Sequence, residues 1–106
     1  MTAKEFIYNL PAKVNKDAIS GMETVFHFDV EGEGGGQYTL KLKDGTLQVE
    51  EGLIGDPKCK VKASNDNLMG VVDGSINPLM ALMMGKIKID NQGELLKYAK
   101  IFGLMK

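Results

Sequence analysis

Residues 58–74, KCKVKASNDNLMGVVDG, change their hydrophobic period partway along. Up to Ser64 the apolar positions Cys59, Val61 and Ala63 alternate with Lys58, Lys60 and Lys62, the two-residue rhythm of a strand with one wet face. From Ser64 or Asn65, either of which suits an N-cap, the rhythm turns helical: Leu68, Met69, Val71 and Val72 are apolar and Gly74 terminates the run. A strand buried on one side thus feeds directly into an amphipathic helix over 65–73. Whether the fold is α+β then depends on the other strands sharing that one-sided design.

They share it. In GMETVFHFDVE, Met22, Thr24, Phe26, Phe28 and Val30 oppose Glu23, Val25, His27, Asp29 and Glu31. QYTLKLK sets Tyr38, Leu40 and Leu42 against Gln37, Thr39, Lys41 and Lys43. Asp44-Gly45 supplies a hairpin turn, beyond which Leu47 and Val49 alternate with Gln48 and Glu50. KIKID repeats the pattern, with Ile87 and Ile89 against Lys86 and Lys88. Parallel sheets covered on both faces read as unbroken apolar runs. The alternation therefore predicts a largely antiparallel sheet covered on one side, with every helix packed there.

The helices follow from their ends. Thr2 and Glu5 form a capping box ahead of Phe6, Ile7 and Leu10, and Pro11 is expected to end or bend that helix. Asn77-Pro78 is an N-cap followed by Pro at the first helical position, and Gly85 stops the run. Residues 91–106 space Leu95, Tyr98, Phe102 and Met105 at helical intervals, with Leu96, Ala99 and Ile101 widening the stripe. The fold class is α+β, a five-stranded, mostly antiparallel sheet covered on one face by about four helices, in one domain over 1–106.

Composition narrows the function. Thirteen Lys against fourteen acidic residues leave a net charge of −1, so no bulk field draws in nucleic acid. Arg is absent, and with it the bidentate fork for phosphate or guanine. Cys59, the single cysteine, cannot form an internal disulfide and favours a reducing compartment. No apolar run approaches the ~20 residues of a membrane span, and MTAKEFIYNL lacks the apolar core of a signal peptide. A cytoplasmic location is expected. HExxH, GxSxG and CxxC do not occur. Strand parity sends His27 to the charged face, where it makes a poor base or metal ligand, and Cys59 to the apolar face as an inert small hydrophobe. GEGGGQY runs into a strand rather than a helix, which makes it a hairpin connection and not a phosphate loop. No enzyme activity, cofactor or metal is expected.

Pro78 to Met84 carry no polar side chain, and five of the seven methionines (Met69, Met80, Met83, Met84 and Met105) fall in the last forty residues. Helix 78–84 is either a core element trapped between sheet and C-terminal helix, or one wall of an apolar cavity shared with helices 65–73 and 92–105. A one-sided sheet of this size cannot satisfy both flanks of so many apolar helices, and Met suits a wall that repacks around variable contents. The Lys rows 58/60/62 and 86/88 would form a basic stripe suited to anionic lipid or a coenzyme A phosphate if their strands are neighbours. A solvated face balanced by Glu23, Asp29 and Glu31 is the favoured account of them.

KCKVKASNDNLMGVVDG, then NPLMALMMGKIKI, then the closing amphipathic helix resemble the sterol carrier protein 2 family in content and order. The resemblance implies strand order 3-2-1-4-5, with the two Lys-rich strands adjacent, and a lipid tunnel between sheet and helices. It further implies binding of a fatty acid, fatty acyl-CoA, phospholipid or sterol without catalysis. Carried over by position, the tunnel wall would comprise Phe26, Phe28, Leu68, Met69, Val72, Met80, Met83, Met84, Tyr98, Phe102 and Met105, with a headgroup near Lys97, Lys100 or Tyr98. Asn91 stands where the family has Gly and is expected to keep the positive-φ turn. The ending GLMK lacks a Ser-Lys-Leu-like tail and no thiolase or dehydrogenase domain is present, so the chain reads as a free-standing prokaryote-type member with sterol the least expected ligand. The expected partners are a small-molecule lipid, a membrane touched in passing, and at most a second copy. The rival reading is an interaction module whose apolar helical surface a protein partner covers without lipid.

Overall fold

The computed structural model describes residues 1–102, and Met105 lies outside them. Strand β1 (Thr24–Glu31) pairs antiparallel with β2 (Gly36–Lys43), which pairs antiparallel with β3 (Thr46–Glu51). On its other side β1 runs parallel to β4 (Cys59–Ser64), and β5 (Ile87–Ile89) closes that edge antiparallel to β4. The order β3-β2-β1-β4-β5 is the expected one, with a single parallel pair at its centre. The β2–β3 turn works because both residues take positive φ, Asp44 at 53° and Gly45 at 73°, the twist a two-residue hairpin requires.

One face of the sheet carries the core. Phe26, Phe28, Leu40, Leu42, Cys59, Val61 and Ile87 are buried there with Phe6, Ile7 and Leu10 of helix α1 (Ala3–Lys13). The capping box at Thr2 and Glu5 is formed. Pro11 does not end α1: the helix runs on to Lys13, and the Val14 N–H still reaches the Leu10 carbonyl at 3.0 Å. Near a helix C-terminus the missing proline N–H forfeits one bond and the turn survives. A short helix α2 (Lys16–Ile19), capped by Asn15, brings the total among the described residues to five where about four are expected. It ends in a turn in which Met22 donates to the Ile19 carbonyl, so Met22 precedes β1 instead of belonging to it.

The outer face is not simply wet. Residues 52–57 fold across it, and Thr39 is the clasp: its Oγ1 donates to the Gly52 carbonyl at 2.7 Å and accepts from the Ile54 N–H at 2.9 Å. His27, paired in register with Thr39, is buried beneath this loop, not exposed. Its Nε2 lies 2.8 Å from the Ile54 carbonyl oxygen, which can only accept, so that nitrogen carries the proton. Elsewhere the face is solvated as expected. Lys62 stands opposite Asp29 and Lys88 in the ladders and meets Glu31 at 3.5 Å. Both partners of that ion pair are more than half exposed, so it contributes little.

The GEGGG connection is a hairpin link whose glycines answer to sterics. A Cβ at Gly35 would sit 2.4 Å from the Val30 carbonyl oxygen, and Tyr38 Oη donates to the Gly35 carbonyl at 3.1 Å.

Candidate functional site

The site lies between the β4–β5 margin and three helices, each fixed by its caps. Helix α3 (Asn65–Asp73) starts at Ser64, whose Oγ accepts from the Asn67 N–H. Asn65 instead accepts from the Ala3 N–H at 2.7 Å, tying the start of α1 to α3. Helix α4 (Pro78–Met83) is capped by Asn77, whose Oδ1 accepts from Leu79 and Met80. It closes in a Schellman turn: Gly85 at φ 75° donates to Leu82 and Lys86 to Ala81. Ala81 is the only residue of α4 that is fully buried. Helix α5 (Gln92–Tyr98) is capped by Asn91, whose Oδ1 accepts from the Glu94 N–H at 3.1 Å. Asn91 has φ −133°, so the expected positive-φ turn is absent; the Asn side chain serves as a cap, which a glycine could not do.

These elements enclose a cavity of about 170 Å³. Val61, Ile87 and Ile89 form its sheet wall, and Leu68 and Val71 of α3 one flank. Pro78, Leu79 and Leu82 of α4 face Leu95 and Leu96 of α5 across it, with Asn77 the one polar side chain and Ala99 at the base of the turn after α5. Leu79 and Leu96 line the cavity yet are 62% and 56% exposed, so it opens between α4 and α5.

Of the eleven residues expected on the wall, Leu68 lines this cavity. Phe26, Phe28, Tyr98 and Phe102 lie instead in a closed aromatic cluster beside it. Phe26 meets Tyr98 and Phe102 edge-on at 5.8 and 5.4 Å, and Tyr98 stacks on Phe102 at 5.6 Å. Met69 and Val72 are half-buried against the core, and α3 turns Val71 to the cavity. Met80, Met83 and Met84 point outward, Met83 being 86% exposed. A six-residue helix that commits Ala81 inward has no second face to bury, so its methionines remain on the surface. The helix expected over 92–105 ends at Tyr98, although Phe102 still donates to the Tyr98 carbonyl at 2.9 Å.

Parity already placed Val61, Ile87 and Ile89 on the apolar face, and the strand order put them together at one margin. The signal missed was that margin: a cavity gathers where the sheet runs out, away from the central strand. Leu79 and Leu82 are also three apart on α4, the spacing of a shared helical face.

Polar contacts anchor the start of α5. Thr24 Oγ1 donates to Glu94 Oε2 at 2.5 Å, Asn91 Nδ2 to the Lys58 carbonyl at 2.9 Å, and Tyr98 Oη to the Glu23 carbonyl at 3.4 Å. Tyr98 thus aims its hydroxyl at the lead-in to β1, away from the cavity mouth. Burial, reinforced by the Glu94 carboxylate, raises its phenol above the ordinary range. Burial pushes the Cys59 thiol up to about 11, against a weaker opposing backbone hydrogen bond with Asn91. That thiol is protonated and inert at neutral pH. Among the described residues no group of His, Cys, Asp and Glu could hold a metal. No described helix is long and apolar enough to cross a membrane.

The described residues thus form a small α+β domain with an apolar cavity at the margin of its sheet. The chain matches the SCP-2 sterol transfer family over residues 4–106 and belongs to it. Among curated proteins, hydroxysteroid dehydrogenase-like protein 2 of Xenopus tropicalis is 32% identical over 97 residues. The match takes in 87% of this chain and 22% of that protein, so the chain spans about a fifth of the length of this relative. Palmitated SCP2L2 from Aedes aegypti has the same fold, with a TM-score of 0.75 at 20% identity over 96% of this chain and 95% of that one. The sec-alkylsulfatase Pisa1 from Pseudomonas sp. contains the fold as 16% of its chain, with a TM-score of 0.79 at 21% identity over the whole of this one.

Proposed function

We propose that the chain is a non-catalytic carrier that takes the tail of a fatty acid, fatty acyl-CoA or similar acyl lipid into the cavity between α4, α5 and the β4–β5 margin. The observation that carries this reading is a cavity walled almost wholly by hydrocarbon that reaches the surface between Leu79 and Leu96. Family membership supports a lipid-binding or lipid-transfer role, and one neighbour of the same fold is described as palmitated. An engineered apolar cavity of roughly 150 Å³ in another protein holds benzene, so about 170 Å³ accommodates a tail segment of about six carbons. Their burial contributes roughly 5 kcal/mol at ~0.8 kcal/mol per methylene. Association costs of about 4–15 kcal/mol consume that. A longer tail therefore continues out through the mouth along α4, where Met80 and Met84 adapt to it, and about twelve buried methylenes bring the gross gain to ~10 kcal/mol. Binding of that strength suits a carrier that must also release.

The test is uptake of a fluorescent fatty acid together with native mass spectrometry of the purified chain. Acyl adducts and saturable uptake are expected, and a lipid-free, stable dimer that takes up nothing would replace the carrier by an interaction module.

A further inference from the structure

The apolar surface that surrounds the cavity mouth also has a charge pattern. Leu79, Met80, Met83 and Met84 on α4 and Leu96 on α5 are all more than half exposed. Lys86 follows α4, Lys97 lies on α5 and Lys100 just beyond it, all exposed, while the acidic residues nearest to them in the chain, Asp90 and Glu94, accept from the Lys60 N–H and from Thr24 Oγ1. Protruding apolar side chains flanked by three exposed lysines match an anionic bilayer surface: hydrocarbon below, phosphates at the rim. Met83, 86% exposed one turn from Lys86, is the leading point of that surface.

We propose that the α4–α5 surface docks on anionic membranes, with Met83 and Met84 inserted among the acyl chains and Lys86, Lys97 and Lys100 on the headgroups. The mouth between Leu79 and Leu96 then faces the hydrocarbon, so a tail enters the cavity without crossing water. Docking requires only the exposed surface, while its purpose rests on the carrier reading above.

The chain has no Trp, so Met83→Trp introduces the only one, at a site exposed enough to leave the fold intact. With phosphatidylcholine vesicles containing 30% phosphatidylglycerol, the Trp emission shifts to the blue and is quenched by brominated acyl chains. Pure phosphatidylcholine gives a far weaker response. Each lysine near such a surface is worth about fivefold in partition, so Lys86→Glu with Lys100→Glu lowers it at least twentyfold. Lys16→Glu, on the remote helix α2, serves as the control. An unshifted Trp, or equal losses in the control and the double variant, overturns the proposal. A blue shift that grows with protein concentration without vesicles overturns it in favour of a second copy as the occupant. Fatty-acid uptake by the unmodified chain is measured separately in the absence of vesicles. Uptake without vesicle binding refutes docking alone, and vesicle binding without uptake refutes the carrier alone.

Discussion

Ala99 lines the cavity, is 2% exposed, and presents a single methyl to a space of about 170 Å³. Replacing it with Leu adds three carbons where there are no atoms to displace. Their transfer from water stabilises by about 2.4 kcal/mol at ~0.8 kcal/mol each, less about 1 kcal/mol of lost rotamer freedom. The net gain of roughly 1.5 kcal/mol should raise the melting temperature by about 6 °C for a domain of this size. The same three carbons occupy the place of three tail methylenes, and the loss of ~2.4 kcal/mol from binding weakens fatty-acid affinity roughly fiftyfold. Calorimetry and a fluorescent fatty-acid titration on the same sample read both effects. Opposite signs are the diagnostic result, since a filler that strengthens the fold and weakens binding is acting on space reserved for a guest. A variant that melts lower, from overpacking an already full core, or one that binds the fatty acid as well as before, would refute the cavity as the binding site.

Three further outcomes follow from the geometry. The Cys59 thiol keeps its proton in the fold to about 11 but loses it near 9 when unfolded, so its contribution is complete below pH 9 and decays as pH rises towards 11. Urea titrations should show about 2 kcal/mol lost over that window, and a slope that persists in Cys59→Ala would exclude the thiol as its source. Gly35→Ala drives a methyl against the Val30 carbonyl oxygen and should cost about 2 kcal/mol or more by chemical denaturation; an unchanged midpoint would show the β1–β2 link to be slack. Thr39→Val removes the clasp of the 52–57 loop, so hydrogen exchange at the Ile54 amide should speed at least tenfold while fatty-acid uptake is unaffected, and an amide as protected as before would remove Thr39 from that role.

Strand positions were readable because each alternation has a single physical cause, burial of one side of the sheet. Phe26, Leu40 and Val61 went where parity sent them. Parity put His27 on the correct face but could not show its burial, because what covers it, the loop at residues 52–57, comes from a distant part of the chain and carries no periodicity. The exposure of the α4 methionines went unread for the opposite reason. Their apolar character was plain, but apolar residues on so short a helix need not be inside, and the turns at Asn77 and Gly85 fix α4 with Ala81 down. Asn91 shows a third kind of limit. The same residue can serve a left-handed turn or cap a helix, and only the Glu94 N–H within reach of its side chain decides between them. The cavity was legible as a surplus of apolar surface. The three helices around it were legible too, but the strands facing them were not, because that depends on where the sheet stops.

One wall of that cavity hangs on β5, whose three residues pair with β4 at Val61, Lys62 and Ala63 alone. So short a ladder, backed by a helix with a single buried residue, is where native-state opening costs least. On the proposed carrier reading the hinge for loading is drawn from the margin of the sheet, and the β1–β2–β3 meander stays folded while a guest comes and goes. A strand of this length also offers too little unpaired backbone to recruit a neighbour. Brevity at one seam lets the domain breathe without inviting aggregation.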